Sequence, residues 1–242
     1  MQIKRQSTFS IFFIGLLIME HVLDNPAYNA LATGNKSLAR GSEQIKYFDK
    51  EVGAFIGFKE NSACNFEFLH DDADYDNVAI FISPIEIEIP QQWQVLNEIK
   101  CLQMIYDGGA MAIDDTGLVA LTEEHVPQML ELTRLTNPGP FASRTIDFGH
   151  YRGVFEGDKL IAMAGQRMFP LPYAEISAVC THPDHTGKGY AKLLLQYHIN
   201  RIIAEGNIPF LHVRCDNQRA IKVYESMGFI NRRKMHFYVL KK

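Results

Sequence analysis

Residues 179–191 read Val-Cys-Thr-His-Pro-Asp-His-Thr-Gly-Lys-Gly-Tyr-Ala. An apolar strand pattern runs into a loop with two glycines, and the loop opens a long amphipathic helix pattern. A helix N-terminus carries unpaired N–H groups and about half a positive charge. Glycine lets a phosphate approach such a backbone closely. The pattern therefore suits a phosphorylated ligand. It lacks the third glycine of a dinucleotide fingerprint, and Lys188 is not placed as in a Walker loop. Taken alone, the loop reads equally well as a strand-to-helix turn without a ligand.

A second segment, Pro209 to Phe229, adds to it. Phe210–Val213 has the pattern of a buried strand. Asn217 is a natural N-cap for the helix that follows, and Gly228 a natural stop. Asn217, Ala220 and Tyr224 fall three and seven residues apart, on one helix face. A small residue between two hydrogen-bonding ones leaves room for a flexible ligand.

Three blocks now stand in order: Ala178-Val-Cys-Thr-His-Pro-Asp, Gly187-Lys-Gly-Tyr-Ala191, and Asn217…Ala220…Tyr224…Gly228-Phe229. In these the chain resembles the GNAT superfamily of acyl-CoA-dependent N-acyltransferases, and within it the glycine N-acyltransferase-like branch. The resemblance covers about the last half of the chain. It departs at Thr186, where the family usually has Arg or Gln, which removes one side chain near the pyrophosphate.

The resemblance implies a GNAT fold: a mixed α/β (α+β) central sheet flanked by helices, with two parallel strands splayed apart. Here those strands are Ala174–Thr181 and Phe210–Val213. It implies acetyl-CoA as cosubstrate and no metal. The pantetheine arm would pair with the backbone of Val179, Cys180 and Thr181 and lie along Asn217 and Ala220. The pyrophosphate would rest on Thr186, Gly187, Lys188, Gly189, Tyr190, Ala191 and Lys192. Tyr224 matches the position of the family's acid, which protonates the departing thiolate. An amine with a pKa of about 10 also needs a base. Glu175, among apolar neighbours that would raise its pKa, and His212, where some relatives have a glutamate, are the candidates. Packing is the alternative role for His212, and a salt bridge to the amine the alternative for Glu175. Ser143 and Arg144, with Gln166 and Arg167 on the hairpin, are expected at the acceptor site. All four also suit a plain surface role.

The elements that must position these residues follow from patterning. Leu118–Leu121 reads as a strand. Thr122 caps a helix from Glu123 to about Leu135, which Asn137-Pro-Gly-Pro140 ends. Tyr151–Phe155 and Lys159–Phe169 form a hairpin, Tyr190–Glu205 the long helix, and Arg233–Leu240 the last strand. Residues 116–242 are expected to form one unit, which the resemblance implies is the N-acetyltransferase domain. Residues 19–115 form a smaller α/β domain, with a helix in Asn25–Leu38 and strands at Val52–Phe58 and Val78–Ser83. Trp93, Leu96, Ile99 and Leu102 predict an amphipathic helix over Gln91–Gln103, closed by a strand at Met104–Tyr106. This rhythm is that of a degenerate second unit or of an unrelated cap. Without a Gly-x-Gly it is expected to bind no CoA.

Composition bounds the rest. A chain of 242 residues, 47% hydrophobic and 21% charged, is that of a globular protein. A formal charge of −4 with no basic block argues against a nucleic-acid partner. The four cysteines have no framework spacing, which suits free thiols in a reducing cytoplasm. Cys180, His182 and His185 lack a fourth metal ligand. Lys4 and Arg5 before the apolar run Phe9–Met19 resemble a signal peptide that is too short to span a bilayer. Translation from Met19 is expected, with residues 1–18 an upstream extension and no stable membrane insertion; a mature start near Thr33 would instead mean export. The leading function is acetylation of a small-molecule amine by a monomer or homodimer. Acetylation of a protein or peptide N-terminus, and a non-catalytic acyl-CoA-binding module, are the alternatives.

Overall fold

Short β-rich runs in both halves of the chain join one continuous sheet of eleven strands. The computed structural model describes residues 21–72, 75 and 78–242. The expectations for residues 1–18 and for a start at Met19 lie outside these. The first half contains helix α1 (Pro26–Ala32), strands β1 (Ala39–Gly41), β2 (Ile45–Phe48) and β3 (Phe55–Phe58), helix α2 (Ala63–Asp71), and strands β4 (Ala79–Ser83) and β5 (Gln94–Tyr106). The second contains β6 (Val119–Ala120), α3 (Val126–Thr136), β7 (Arg152–Glu156), β8 (Lys159–Gln166), β9 (Tyr173–Thr181), α4 (Tyr190–Ala204), β10 (Ile208–Arg214), α5 (Gln218–Ser226) and β11 (Phe229–Lys241). No helix among the described residues is long and apolar enough to cross a membrane.

The order β1-β2-β3-β4-β11-β5-β10-β9-β8-β7-β6 reads nearly the same from either end. Each half supplies an antiparallel hairpin and then a parallel pair joined through a helix: β3 and β4 through α2, β9 and β10 through α4. The last strand of each half is exchanged. β5 pairs with β10, and β11 pairs with β4. The boundary expected at residue 115 thus separates two stretches of chain that share one sheet.

β5 corrects the helix expected at Gln91–Gln103. Its apolar residues recur every third position, which suits a helix, yet the segment is a strand from Gln94 onward. It pairs with β11 from Phe229↔Tyr106 to Lys241↔Gln94, and with β10 on its other edge. Two ladders outweigh the weak preference of an isolated segment. Trp93 precedes the strand, with its indole N–H donating to the Phe66 carbonyl (3.0 Å) in the α2 core.

Two layers cover the sheet around its second half. Leu195, Ile199 and Ile202 of α4 and Ile221 of α5 pack on Ala174, Ile176 and Leu211. On the opposite face Leu23, Leu31, Met129 and Leu132 pack on Phe55, Met163, Phe210 and Phe237. The buried stripe of α4 also takes in Leu194 and His198, whereas Ala191 is half-buried.

Gly57 shows how closely α1 approaches. A Cβ there would run into the backbone of Tyr28. Gly57→Ala is expected to lower stability by about 1–3 kcal/mol, since α1 must move off the sheet. Urea denaturation measures this; an unchanged midpoint would mean that α1 has slack.

Candidate active site

β9 and β10 pair at Ile208↔Tyr173, Pro209↔Ala174 and Phe210↔Glu175, and then part. β10 continues along β5 to Arg214↔Cys101, and β9 along β8 to Thr181↔Ala162. Beyond Glu175 and Phe210 the two facing edges share no further rung among the described residues. Ala178 explains the divergence. It has φ +52°, rare for a residue with a Cβ, beside a register shift against β8. Such a bulge bends its strand. The expected splay is therefore present, with Val179, Cys180 and Thr181 on the open edge.

The loop at the mouth of the splay has the expected donors. Gly187 and Gly189 have φ +81° and +88°, and open space lies where their Cβ atoms would be. The first backbone bond of α4 runs from Leu193 N–H to the Gly189 carbonyl (3.1 Å). The amides from Gly187 to Lys192 precede it and have no backbone acceptor among the described residues. Thr186 donates its hydroxyl to the Pro183 carbonyl (3.0 Å), so it braces the loop. His182 and His185 lie beside Lys159 and Lys188, respectively. Burial pushes the Cys180 thiol up to about 12, which suits packing rather than metal binding.

α5 closes the other side. The Asn217 side chain caps it by accepting from Ala220 N–H (3.1 Å). Ala220 and Tyr224 pack in one cluster with Val179, Ile176 and Leu211, across the splay. The Tyr224 ring meets Phe229 edge-on, with centroids 6.0 Å apart. Its hydroxyl has no hydrogen-bond partner among the described residues. Burial pushes it up to about 12, so it stays protonated.

The structure corrects the surroundings expected for Glu175. Its carboxylate is fully buried but not apolar in its contacts. Arg167 clamps it through Nε (2.8 Å) and a second guanidinium nitrogen (2.6 Å), and His212 Nδ1 lies 2.7 Å from Oε1. Burial alone would raise the pKa. The charge and hydrogen bonds of Arg167, with the hydrogen bond from His212, outweigh it and hold the carboxyl at about 2. A carboxylate that weakly basic is a poor proton acceptor for an ammonium.

The acceptor-site residues are also redistributed. Gln166 is buried on the α4 face, accepting from Arg201. Arg167 lies on the opposite face, with its guanidinium 4.6 Å from the Phe55 ring centroid. The two therefore do not line one site. Arg144 pairs with Asp147 (2.7 Å) in its own turn, next to the exposed Ser143.

Replacing Arg167 by leucine would leave a buried carboxylate with only His212 and the Met168 N–H (3.3 Å) as donors. A loss of about 3–5 kcal/mol is expected in chemical denaturation. The sign with pH is fixed by the lowered pKa. The contribution from Glu175 is fully present above its ordinary value of 4.5 and is lost as pH falls towards 2. Arg167→Leu should therefore flatten the stability–pH curve in that window; a parallel offset would point to packing alone.

A splay between parallel strands, a Gly-x-Gly loop with free amides and a tyrosine packed across the splay make up the candidate cleft. The FR47-like protein family profile matches residues 151–238, which span the whole cleft. A putative acetyltransferase from the GNAT family of Novosphingobium aromaticivorans is 36% identical, with a TM-score of 0.85, over 92% of this chain and 99% of that one. The chain belongs to the GNAT family of acetyltransferases. N-alpha-acetyltransferase RimI of Mycobacterium tuberculosis is 33% identical over 84 residues, which is 33% of this chain and 51% of that protein. The match thus spans about half of this curated relative. A GCN5-related N-acetyltransferase of Kribbella flavida shares the fold at 11% identity, with a TM-score of 0.56 over 89% of this chain and 96% of that one. The finer placement in the glycine N-acyltransferase-like branch is not carried by these matches.

Proposed function

We propose that this protein transfers the acetyl group of acetyl-CoA to a primary amine, by direct attack within a ternary complex. The observation that carries the reading is the splay, with its unpaired strand edges leading to the free amides of residues 187–192. The open edge of β9 offers carbonyls and N–H groups to the pantetheine amides. One of its N–H groups, near Thr181, faces the oxyanion that forms at the thioester carbon. The amine nitrogen bonds to that carbon and the carbon–sulfur bond breaks. The Tyr224 hydroxyl gives its proton to the leaving thiolate. The acceptor attacks as the free amine, its ammonium proton having passed to solvent; the second proton, shed by the nitrogen as the amide forms, also passes to solvent, and a solvent proton restores Tyr224. Glu175 and His212 take no proton in this scheme.

The acceptor is a small-molecule amine. Residues 21–25 lie over the face of the sheet beside His212, which suits a small acceptor. One finding favours a second reading, a peptide or protein N-terminus: the curated relative is an N-alpha-acetyltransferase. The four free cysteines suit a reducing cytoplasm. Calorimetric titration with acetyl-CoA, followed by an acceptor screen that sets amino acids and polyamines against peptides with free N-termini, is the test. Saturable binding with turnover of the first set supports the proposal. Turnover of peptides alone selects the second reading, and absence of binding removes both.

A further inference from the structure

A chain of buried polar side chains sits where β9 and β10 part. The last backbone rung is Glu175↔Phe210. The next connection between the strands is made by side chains, Glu175 Oε1 to His212 Nδ1 at 2.7 Å. The His212 side chain is 2% exposed and that of Glu175 0%.

Beyond His212 the chain of contacts enters the first half of the molecule. Gln103 of β5 is fully buried. Its Nε2 lies 2.8 Å from the Leu23 carbonyl and 3.0 Å from His212 Nε2. Its Oε1 accepts from Arg232 (2.8 Å), and Arg232 and Arg233 both donate to Asp24 (2.7 and 2.8 Å). Only one amide orientation works. Arg232 requires an acceptor and the Leu23 carbonyl requires a donor. The Gln103 nitrogen therefore faces His212, whose Nε2 must accept. The imidazole proton then resides on Nδ1 and donates to Glu175. The lone pair that a base would use is already engaged.

We infer that Glu175 and His212 are positioning residues, forming a side-chain rung that sets where the cleft opens, and that Gln103, Arg232 and Asp24 lock the His212 tautomer. The first half of the chain thereby acts on the geometry of the cleft in the second. This rests on the reading of the splay as the acetyl-CoA cleft.

The full chain serves for the test, with acetyl-CoA binding by calorimetry and the rate–pH profile as readouts. His212→Phe keeps a ring and removes both hydrogen bonds. Binding is expected to weaken about ten-fold, equivalent to about 1.4 kcal/mol. In His212→Asn the side-chain nitrogen replaces Nδ1 as donor to Glu175 and nothing ionises. It is expected to recover most of that loss, with the acidic limb of the rate–pH profile in place. Asp24→Asn, at the less buried end, is expected to weaken binding about three-fold. A His212→Asn protein that binds normally but loses both turnover and the acidic limb would make His212 the base and overturn the rung. Unchanged binding in Asp24→Asn would remove the N-terminal lock. A parent that binds acetyl-CoA but acetylates no acceptor would sink the enzymatic reading, while the rung would still be judged on binding. A parent that does not bind would end both.

Discussion

A Gly189→Glu chain is expected to lose acetyl-CoA binding by about 100-fold or more while remaining folded. The position has φ +88°, and nothing lies within 4 Å of an added Cβ. Strain at a left-handed residue with a side chain is about 1–2 kcal/mol, which a folded domain tolerates. The effect on the ligand is larger. Gly189 is the N-cap of α4, at the centre of the run of free amides. A carboxylate there takes up the space and the positive end of the helix that a pyrophosphate requires, and it repels the phosphates as well. Gly189→Ala separates the two terms, since it adds the strain without the charge. Calorimetry with acetyl-CoA, beside circular dichroism to confirm folding, measures both. Undiminished binding in Gly189→Glu would show that the phosphates do not use this loop.

The cleft was largely legible in the sequence because its parts are local. A glycine pair at a helix start, an Asn N-cap and a tyrosine seven residues on all lie within single elements. What the sequence concealed depends on distant partners. β5 is a strand because β11, more than a hundred residues away, pairs along its length. Read alone, its apolar spacing imitates a helix. α2 had a usable signal in Ser62, whose side chain accepts from Asn65 N–H. Its apolar pattern is poor, with Phe66 and Leu69 buried and Phe68 65% exposed. The surroundings of Glu175 were misread for a related reason. Its sequence neighbours are apolar but point to the other face, and Arg167 arrives from the end of the preceding strand. Ala178 carried no signal, since nothing in the sequence marks an alanine for positive φ.

Tyr224→Phe is expected to lower kcat by about 100-fold or more, with acetyl-CoA affinity and thermal stability near those of the parent. The expectation of intact stability comes from the hydroxyl, which has no partner among the described residues to lose. Its ring contacts with Phe229 and the α5 cluster survive the change. The expectation for kcat comes from the product. A thiolate leaving into an apolar gap is stabilised only by a proton or a hydrogen bond, and in the proposed scheme Tyr224, packed in one cluster with Val179 and Leu211, supplies it. The pH dependence follows with its sign. The proposed scheme needs the protonated phenol, and burial keeps it so up to about pH 12. Tyr224 therefore adds no alkaline fall to the rate within the range where the protein is assayed, and the profile of Tyr224→Phe should keep the shape of the parent's at lower height. Parent-like kcat in Tyr224→Phe would assign thiolate protonation to solvent. A changed profile shape with intact kcat would mean that the phenol tunes a neighbouring group. A fall in kcat at unchanged affinity leaves the proton-donor role as the one that fits an unpartnered, persistently protonated hydroxyl.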